Sequence, residues 1–216
     1  MRVELLGVFG DDNMVVDVAR VSYNKSSENY TEEQNERLVK FLAREGHWSP
    51  ASHPQLQFRL TVPIYVERQL VKSESGRVYN SISGRYVDFS DTYTKIPYGG
   101  WRKQSKSSKQ GSDGLLDKEG QRLANNIQSS IELLARDSYK KLIDLGVSKE
   151  QARTVLPLNL NTTMIWTGSL YTLIRLCNQR IKDDAQRETR VVVEKMLEEV
   201  KKTGRFNKTL KAYGYE

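Results

Sequence analysis

The chain has 216 residues, 38% of them hydrophobic, which is enough apolar mass for a packed core and excludes a disordered or purely linking role. Its formal charge of +7, from 34 basic against 27 acidic residues, attracts anions from nucleotides to nucleic acid without choosing among them. The single cysteine, Cys177, rules out an internal disulfide, and with only His47 and His53 beside it the sequence argues against a histidine/cysteine metal site.

The opening MRVELLGVFGDDNM holds an apolar run too short for a signal peptide, and no later stretch approaches a membrane span, so the expected location is the cytoplasm. Residues 3–8 predict a strand, and residues 12–21 a short helix with Val15, Val16 and Ala19 on one face. Thr31 and Gln34 fit a capping box, opening a helix that runs through Leu38, Phe41 and Leu42 to a stop at Gly46. Leu56, Phe58, Leu60 and Val62 alternate with Gln55, Gln57, Arg59 and Thr61, the pattern of a half-buried strand, which Pro63 ends. Residues 64–71 then predict a helix from which the polar Arg68, Gln69 and Lys72 can converge on a ligand.

The segment RQLVKSESGRVYNSISGRY, residues 68–86, packs three arginines, a lysine, a glutamate, four serines and two glycines into one stretch. Within it Ser83-Gly84-Arg85 offers a hydroxyl, an unhindered backbone amide and a guanidinium, the groups a bound phosphate needs. The same residues also suit a surface turn with Arg85 in an ordinary ion pair, and local sequence does not decide between the two.

Residues 86–112 read as an irregular loop with turn signals at Pro97, Gly99-Gly100 and Gly111. A long helix follows over about residues 117–145, with Leu123, Ile127, Ile131, Leu134, Leu142 and Ile143 as its buried stripe and Gly146 as its stop. Ser148 and Gln151 predict the cap of a short helix ending before Pro157, residues 164–169 a strand, 170–182 a helix and 185–202 a charged terminal helix. Cys177 sits with Leu173 and Leu176 on an apolar helix side, where core packing is expected of it rather than catalysis. No repeat or composition break is present, so residues 1–216 are expected to form one domain.

The pieces GHWSPASH, FRLTVPIYVERQ, NSISGRYVDF, WRKQSKSSKQGS, ARTVLPLNLNTTMIWTGSLYTLIRLCNQR and AQRETR, in this order over roughly residues 17 to 200, together resemble the flavin-dependent thymidylate synthases. The resemblance implies an α/β fold with a mixed central sheet flanked by helices, and a homotetramer whose active sites draw on several subunits. It implies one-carbon transfer from methylenetetrahydrofolate to C5 of dUMP, with FAD supplying the hydride and NADPH as reductant. The partners so implied are a small-molecule nucleotide and a folate, with no membrane; a compact phosphate signature also argues against nucleic acid.

Carried over position by position, the resemblance assigns Gln69, Ser83, Gly84, Arg85 and Arg153 to the nucleotide phosphate and keeps a cation at Lys72. It sets Arg180 against the pyrimidine, where a guanidinium stabilises charge developing on the carbonyl oxygens. It places His53, Asn80, Ser169 and Arg175 near the flavin. The chain departs from the family in its signature triplet, here Lys72-Ser73-Glu74, and at Ser81 and Asp184, so the phosphate end reads as intact and the redox end as altered. Two alternatives to dTMP formation therefore stay open: hydroxymethylation of dUMP or dCMP on the same scaffold, which needs no hydride, and non-catalytic nucleotide binding.

Overall fold

The computed structural model describes residues 1–72, 75–88, 92–107 and 109–215. A four-stranded sheet has the order β1 (Arg2–Phe9), β2 (Gln55–Pro63), β6 (Asn161–Ser169), β3 (Arg77–Ser81). The α/β class with a central sheet flanked by helices is as expected, but each of the three strand junctions is antiparallel, so the sheet is not mixed. Strand alternation shows the direction of neighbouring side chains, not of neighbouring strands, and so could not have settled this point.

Alternation does decide which face is buried. Leu56, Phe58, Leu60 and Val62 of β2 are fully buried, and across the register Phe58 meets Trp166 and Leu60 meets Met164. The Phe58 and Trp166 rings lie 5.8 Å apart at 58°, a tilted pair at the centre of the core. On the opposite face the pairs are polar: Thr61 Oγ1 is 3.0 Å from Thr163 Oγ1, and Gln57 Nε2 donates to Thr167 Oγ1 at 3.1 Å. Helices α3 (Ile64–Val71), α6 (Leu170–Arg180) and α7 (Arg187–Lys202) pack against the apolar face.

The remaining elements surround this core. Helix α1 (Asp12–Arg20) and helix α2 (Glu32–Arg44) pack together through Val15, Val16 and Val39, and the capping box at Thr31 and Gln34 forms as predicted. The expected irregular loop after residue 86 contains a small hairpin of β4 (Arg102–Gln104) and β5 (Ser112–Leu115), whose short polar strands carry no apolar alternation to reveal them. Helix α4 (Lys118–Asp144) follows, then α5 (Lys149–Ala152), and a last helix α8 (Asn207–Ala212) lies beyond the predicted elements. Ser148 makes no side-chain cap on α5; its carbonyl accepts from the backbone amides of Gln151 and Ala152 instead.

The buried stripe expected on α4 is not buried. Leu123, Ile127, Ile131 and Leu134 are each about half exposed or more, and the side turned inward carries Gln121, Glu132, Ala135 and Tyr139. Two of the polar groups facing inward there are satisfied: Gln121 exchanges hydrogen bonds with the Trp101 backbone, and Glu132 accepts from Asn159 Nδ2 at 2.6 Å, while the buried Tyr139 hydroxyl has no partner among the described residues. Among the described residues no helix is long and apolar enough to cross a membrane.

Candidate active site

Helix α5 gathers the first group of predicted residues. Ser83 to Val87 forms a turn in which the Arg85 amide donates to Ser83 Oγ at 3.3 Å and the Tyr86 amide to the Ser83 carbonyl at 3.0 Å. Glu150 then serves two arginines from distant parts of the chain: its carboxylate meets Arg85 Nε at 3.2 Å, and its backbone carbonyl accepts from Arg153 Nε at 3.3 Å. Lys149 adds a 3.1 Å ion pair to Asp88. The structure shows the surface turn with Arg85 in an ion pair, one of the two arrangements the sequence allowed, and sets Arg153 on the same Glu150. Gly84 and Arg153 line a cavity of about 200 Å³ that also includes Ile82, Thr162 and Glu67. Glu67 is an anion in that wall, engaged by the Ser81 hydroxyl.

A second group lies at the far end of α3 and along α6. Lys72, Arg175 and Arg180 line a cavity of about 320 Å³ together with Ser75, Thr172 and Gln179. Arg180 is oriented by a 3.2 Å hydrogen bond from Nη2 to the Gln69 carbonyl, while its Nε is buried with no partner among the described residues. Gln69 itself is turned away from both cavities. Its Oε1 accepts from Thr189 Oγ1 at 3.1 Å, its Nε2 donates to Gln186, and Gln186 passes the chain on to Glu188, which pairs with Arg102 at 3.2 Å. Burial, with the negative charge of Glu188 adding to it, pushes the neighbouring Tyr65 phenol up to about 12, so that ring stays neutral.

A large cavity, about 590 Å³, adjoins this second group and shares Arg175, Ser75 and Thr172 with it. Its aromatic wall is Trp48 on Tyr171, with ring centroids 5.8 Å apart and planes at 28°. Ser169 lines it too, but as the N-cap of α6: its Oγ accepts from the Thr172 amide at 3.2 Å. Gly76, at φ 76°, closes on the same spot, and a Cβ there would come within 2.6 Å of Thr172 Oγ1. His53 is exposed and outside the wall, although its neighbours Ser52 and Gln55 belong to it. Asn80 sits exposed on the edge strand β3, opposite Ile165. Ser73 and Glu74 lie outside the described residues.

A family model described as thymidylate synthase complementing protein, Thy1, matches residues 4–203. The chain belongs to that family. Among its curated relatives, the flavin-dependent thymidylate synthase of Thermus thermophilus is 36% identical over 200 residues, covering 92% of this chain and 71% of the relative. The enzyme of the same name from Kosmotoga olearia is 38% identical over 190 residues, covering 86% and 79%. The solved structure of the UMP/dUMP methylase PolB from Streptomyces cacaoi, bound with 5-Br dUMP, superposes with a TM-score of 0.85 over 98% of this chain and 94% of that one. At 24% identity that likeness is one of fold.

The Thy1 resemblance read from six motifs is therefore borne out, while the motifs did not show which residues would meet. Glu150, Trp48 and Tyr171 were not singled out. Trp48 and Tyr171 lie inside two of the matching motifs, and an aromatic in a Gly/Ser/Pro loop was the signal available for Trp48. Glu150 carried no signal, because an acidic residue in a short polar helix is ordinary surface composition.

Proposed function

We propose that this chain is a thymidylate synthase-type methyltransferase that moves a one-carbon unit from methylenetetrahydrofolate to C5 of dUMP and yields dTMP. The observation that carries this reading is the meeting of Arg85 and Arg153, far apart in sequence, on Glu150, with Arg153 and the Gly84 beside Arg85 in the wall of one small cavity. Such a set suits a nucleotide monophosphate: the Gly84 amide is unhindered and the guanidiniums can grip two phosphate oxygens. Swapping the Glu150 carboxylate for phosphate on Arg85 leaves no buried charge unpaired, because both partners of that ion pair are about half exposed and the freed carboxylate is left to water.

Arg180 carries the chemical step in this proposal. Its buried, unpartnered Nε and its Gln69-oriented Nη2 give a preorganised cation for the charge that builds on the pyrimidine carbonyls as C5 becomes nucleophilic. Cys177 is fully buried, and burial pushes its thiol up to about 12, so it is not available as a nucleophile at C6. The large cavity fits a flavin in kind, with a stacked aromatic wall, hydroxyls at Ser169 and Thr172 and the Arg175 cation for an anionic tail. There Trp48, Tyr171, Arg175 and Ser169 would hold FAD, with Lys72 at the adjoining edge. Bound FAD, reduced by NADPH, would supply the hydride that completes the methyl group. The residues of this chain would bind, orient and exclude water.

The arginine cluster around Gly84 and the Arg180 group line different cavities of one chain. Together with the uncovered apolar stripe of α4, this supports a homotetramer whose sites combine groups from more than one subunit. The test of the activity is incubation with dUMP or dCMP, methylenetetrahydrofolate, FAD and NADPH, with products identified by mass. dTMP as the product is expected. A hydroxymethylated nucleotide formed without NADPH would replace this reading with the hydride-free one, and nucleotide binding with no product would leave only a binding protein.

A further inference from the structure

Helix α6 has three working faces. Leu170, Leu173, Ile174 and Cys177 are buried in the main core, while Thr172, Arg175, Leu176 and Gln179 line the cavities. The third face carries Tyr171 and Asn178, seven residues apart and so nearly aligned along the helix. Both are met by the end of the chain. The Tyr213 ring stands edge-on to Tyr171 with centroids 6.0 Å apart and planes at 62°, and the Tyr215 hydroxyl donates to Asn178 Oδ1.

The segment making these contacts is itself fixed. The carboxylate of Asp12, in the first turn of α1, caps α8: it accepts from the Lys208 amide at 2.8 Å, the Thr209 amide at 2.9 Å and Thr209 Oγ1 at 2.6 Å. Asp12 returns its own amide to the Arg205 carbonyl at 2.9 Å, and Phe206 and Leu210 are buried in the main core. A helix held at one end by a buried carboxylate and along its length by core contacts presents Tyr213 in one place.

We propose that residues 206–215 are a clamp on α6, and that Tyr213 is a positioning residue that holds Tyr171, and through it Trp48, as the aromatic wall of the large cavity. Trp48 is 54% exposed and its ring rests on Tyr171, so the wall has no other ring behind it than Tyr213 among the described aromatic contacts. These contacts fall after residue 203, where the family match ends, and so form no part of the resemblance from which the activity was read. The consequence for ligand affinity rests on reading the cavity as the flavin site; the consequence for Trp48 does not.

The test uses the full chain with Tyr213→Leu, which keeps apolar bulk but loses the ring edge, and Tyr213→Phe, which keeps the ring. The near-UV circular dichroism of Trp48, isolated by subtraction of a Trp48→Phe variant, is measured without added ligand, and FAD and dUMP affinities are measured by titration. The expected result is a Trp48 signal reduced by about half or more in Tyr213→Leu and retained in Tyr213→Phe. FAD affinity should fall roughly two- to tenfold in Tyr213→Leu, the worth of one aromatic edge contact, with dUMP affinity held. An unchanged Trp48 signal in Tyr213→Leu overturns the clamp, as does a loss of that signal in Tyr213→Phe as well. FAD affinity unchanged in Tyr213→Leu also overturns it wherever the wild type binds FAD. Should the wild type bind no FAD, the flavin reading of the cavity fails, and the Trp48 signal alone decides for or against the clamp.

Discussion

Arg180 donates from Nη2 to the backbone carbonyl of Gln69 at 3.2 Å, so the guanidinium assigned to the pyrimidine is aimed by the main chain of the helix that also carries Lys72 at its end. Because the contact is to a carbonyl, no substitution at Gln69 removes it directly. What a change at Arg180 removes is the planar fork, since an ammonium cannot satisfy Gln69 and a substrate oxygen in the same fixed geometry. Arg180→Lys should lower kcat about a hundredfold or more, the usual loss when a preorganised charge stabiliser is removed, while dUMP affinity changes little. Steady-state kinetics with dUMP varied would show this; a fall confined to KM would place Arg180 in ground-state binding instead.

Arg153 and Glu67 line the same small cavity with opposite charge, so substitutions at the two should move nucleotide affinity in opposite directions. Arg153→Ala leaves a phosphate charge without its partner, at a cost of about 1.5–3 kcal/mol, and should weaken dUMP binding at least tenfold. Glu67→Gln removes a repelling carboxylate and should tighten binding by roughly fivefold, equivalent to about 1 kcal/mol between exposed charges. Calorimetric titration of both variants checks the pair. Equal affinities in all three proteins would remove the phosphate from this cavity.

Much of this frame was legible in the sequence because one physical signal governed it. The alternation of Leu56, Phe58, Leu60 and Val62 specified both the β2 strand and its buried face, and the Thr31/Gln34 box marked the start of α2. On α4 the same signal misleads. Leu123, Ile127, Ile131 and Leu134 have perfect helical spacing, yet a periodic pattern reports that a face is apolar and not which molecule covers it. The site shows the same division. Motifs located Ser83, Gly84, Arg85 and Arg153, but the meeting of Arg85 with Arg153 depends on Glu150, and the turning of the Gln69 side chain toward Thr189 depends on α7, which no local pattern encodes.

Cys177 is fully buried with its thiol pushed up to about 12, chiefly by burial. At pH 8 about one thiol in ten thousand would be ionised, so the native protein should resist iodoacetamide over hours and react promptly once unfolded. Cys177→Ala should keep dTMP formation within about threefold of wild type, as chemistry without a cysteine nucleophile requires. Rapid alkylation of the native chain with matching loss of activity would contradict both the burial and the mechanism.

The exposed stripe of α4 gives the assembly prediction its handle. Leu134 is 67% exposed and Ile127 61%, far more than a core stripe allows, and each such side chain gains about 1.5–3 kcal/mol on full burial. Four of them on one helix supply enough apolar surface to hold two copies together. If the proposed tetramer is held this way, Ile127→Lys with Ile131→Glu should shift it to smaller species by light scattering at micromolar concentration. The fold of each chain should survive, since the inward side of α4 is made by Gln121, Glu132, Ala135 and Tyr139. Activity should be lost with assembly, because the Gly84/Arg153 cavity and the Arg180 cavity would no longer be completed by a neighbour. Mixing makes the point separable from simple damage. Arg153→Ala and Arg180→Ala proteins, each with little turnover alone when dUMP is kept well below the weakened affinity of Arg153→Ala, are unfolded together and refolded so that their subunits intermix. If sites combine one set from each of two subunits, some sites regain both arginines and a fraction of wild-type turnover returns, on the order of a quarter for random pairing of two equal populations. If each chain holds a complete site, every site in the mixture carries one lesion and no activity returns, however well the subunits exchange.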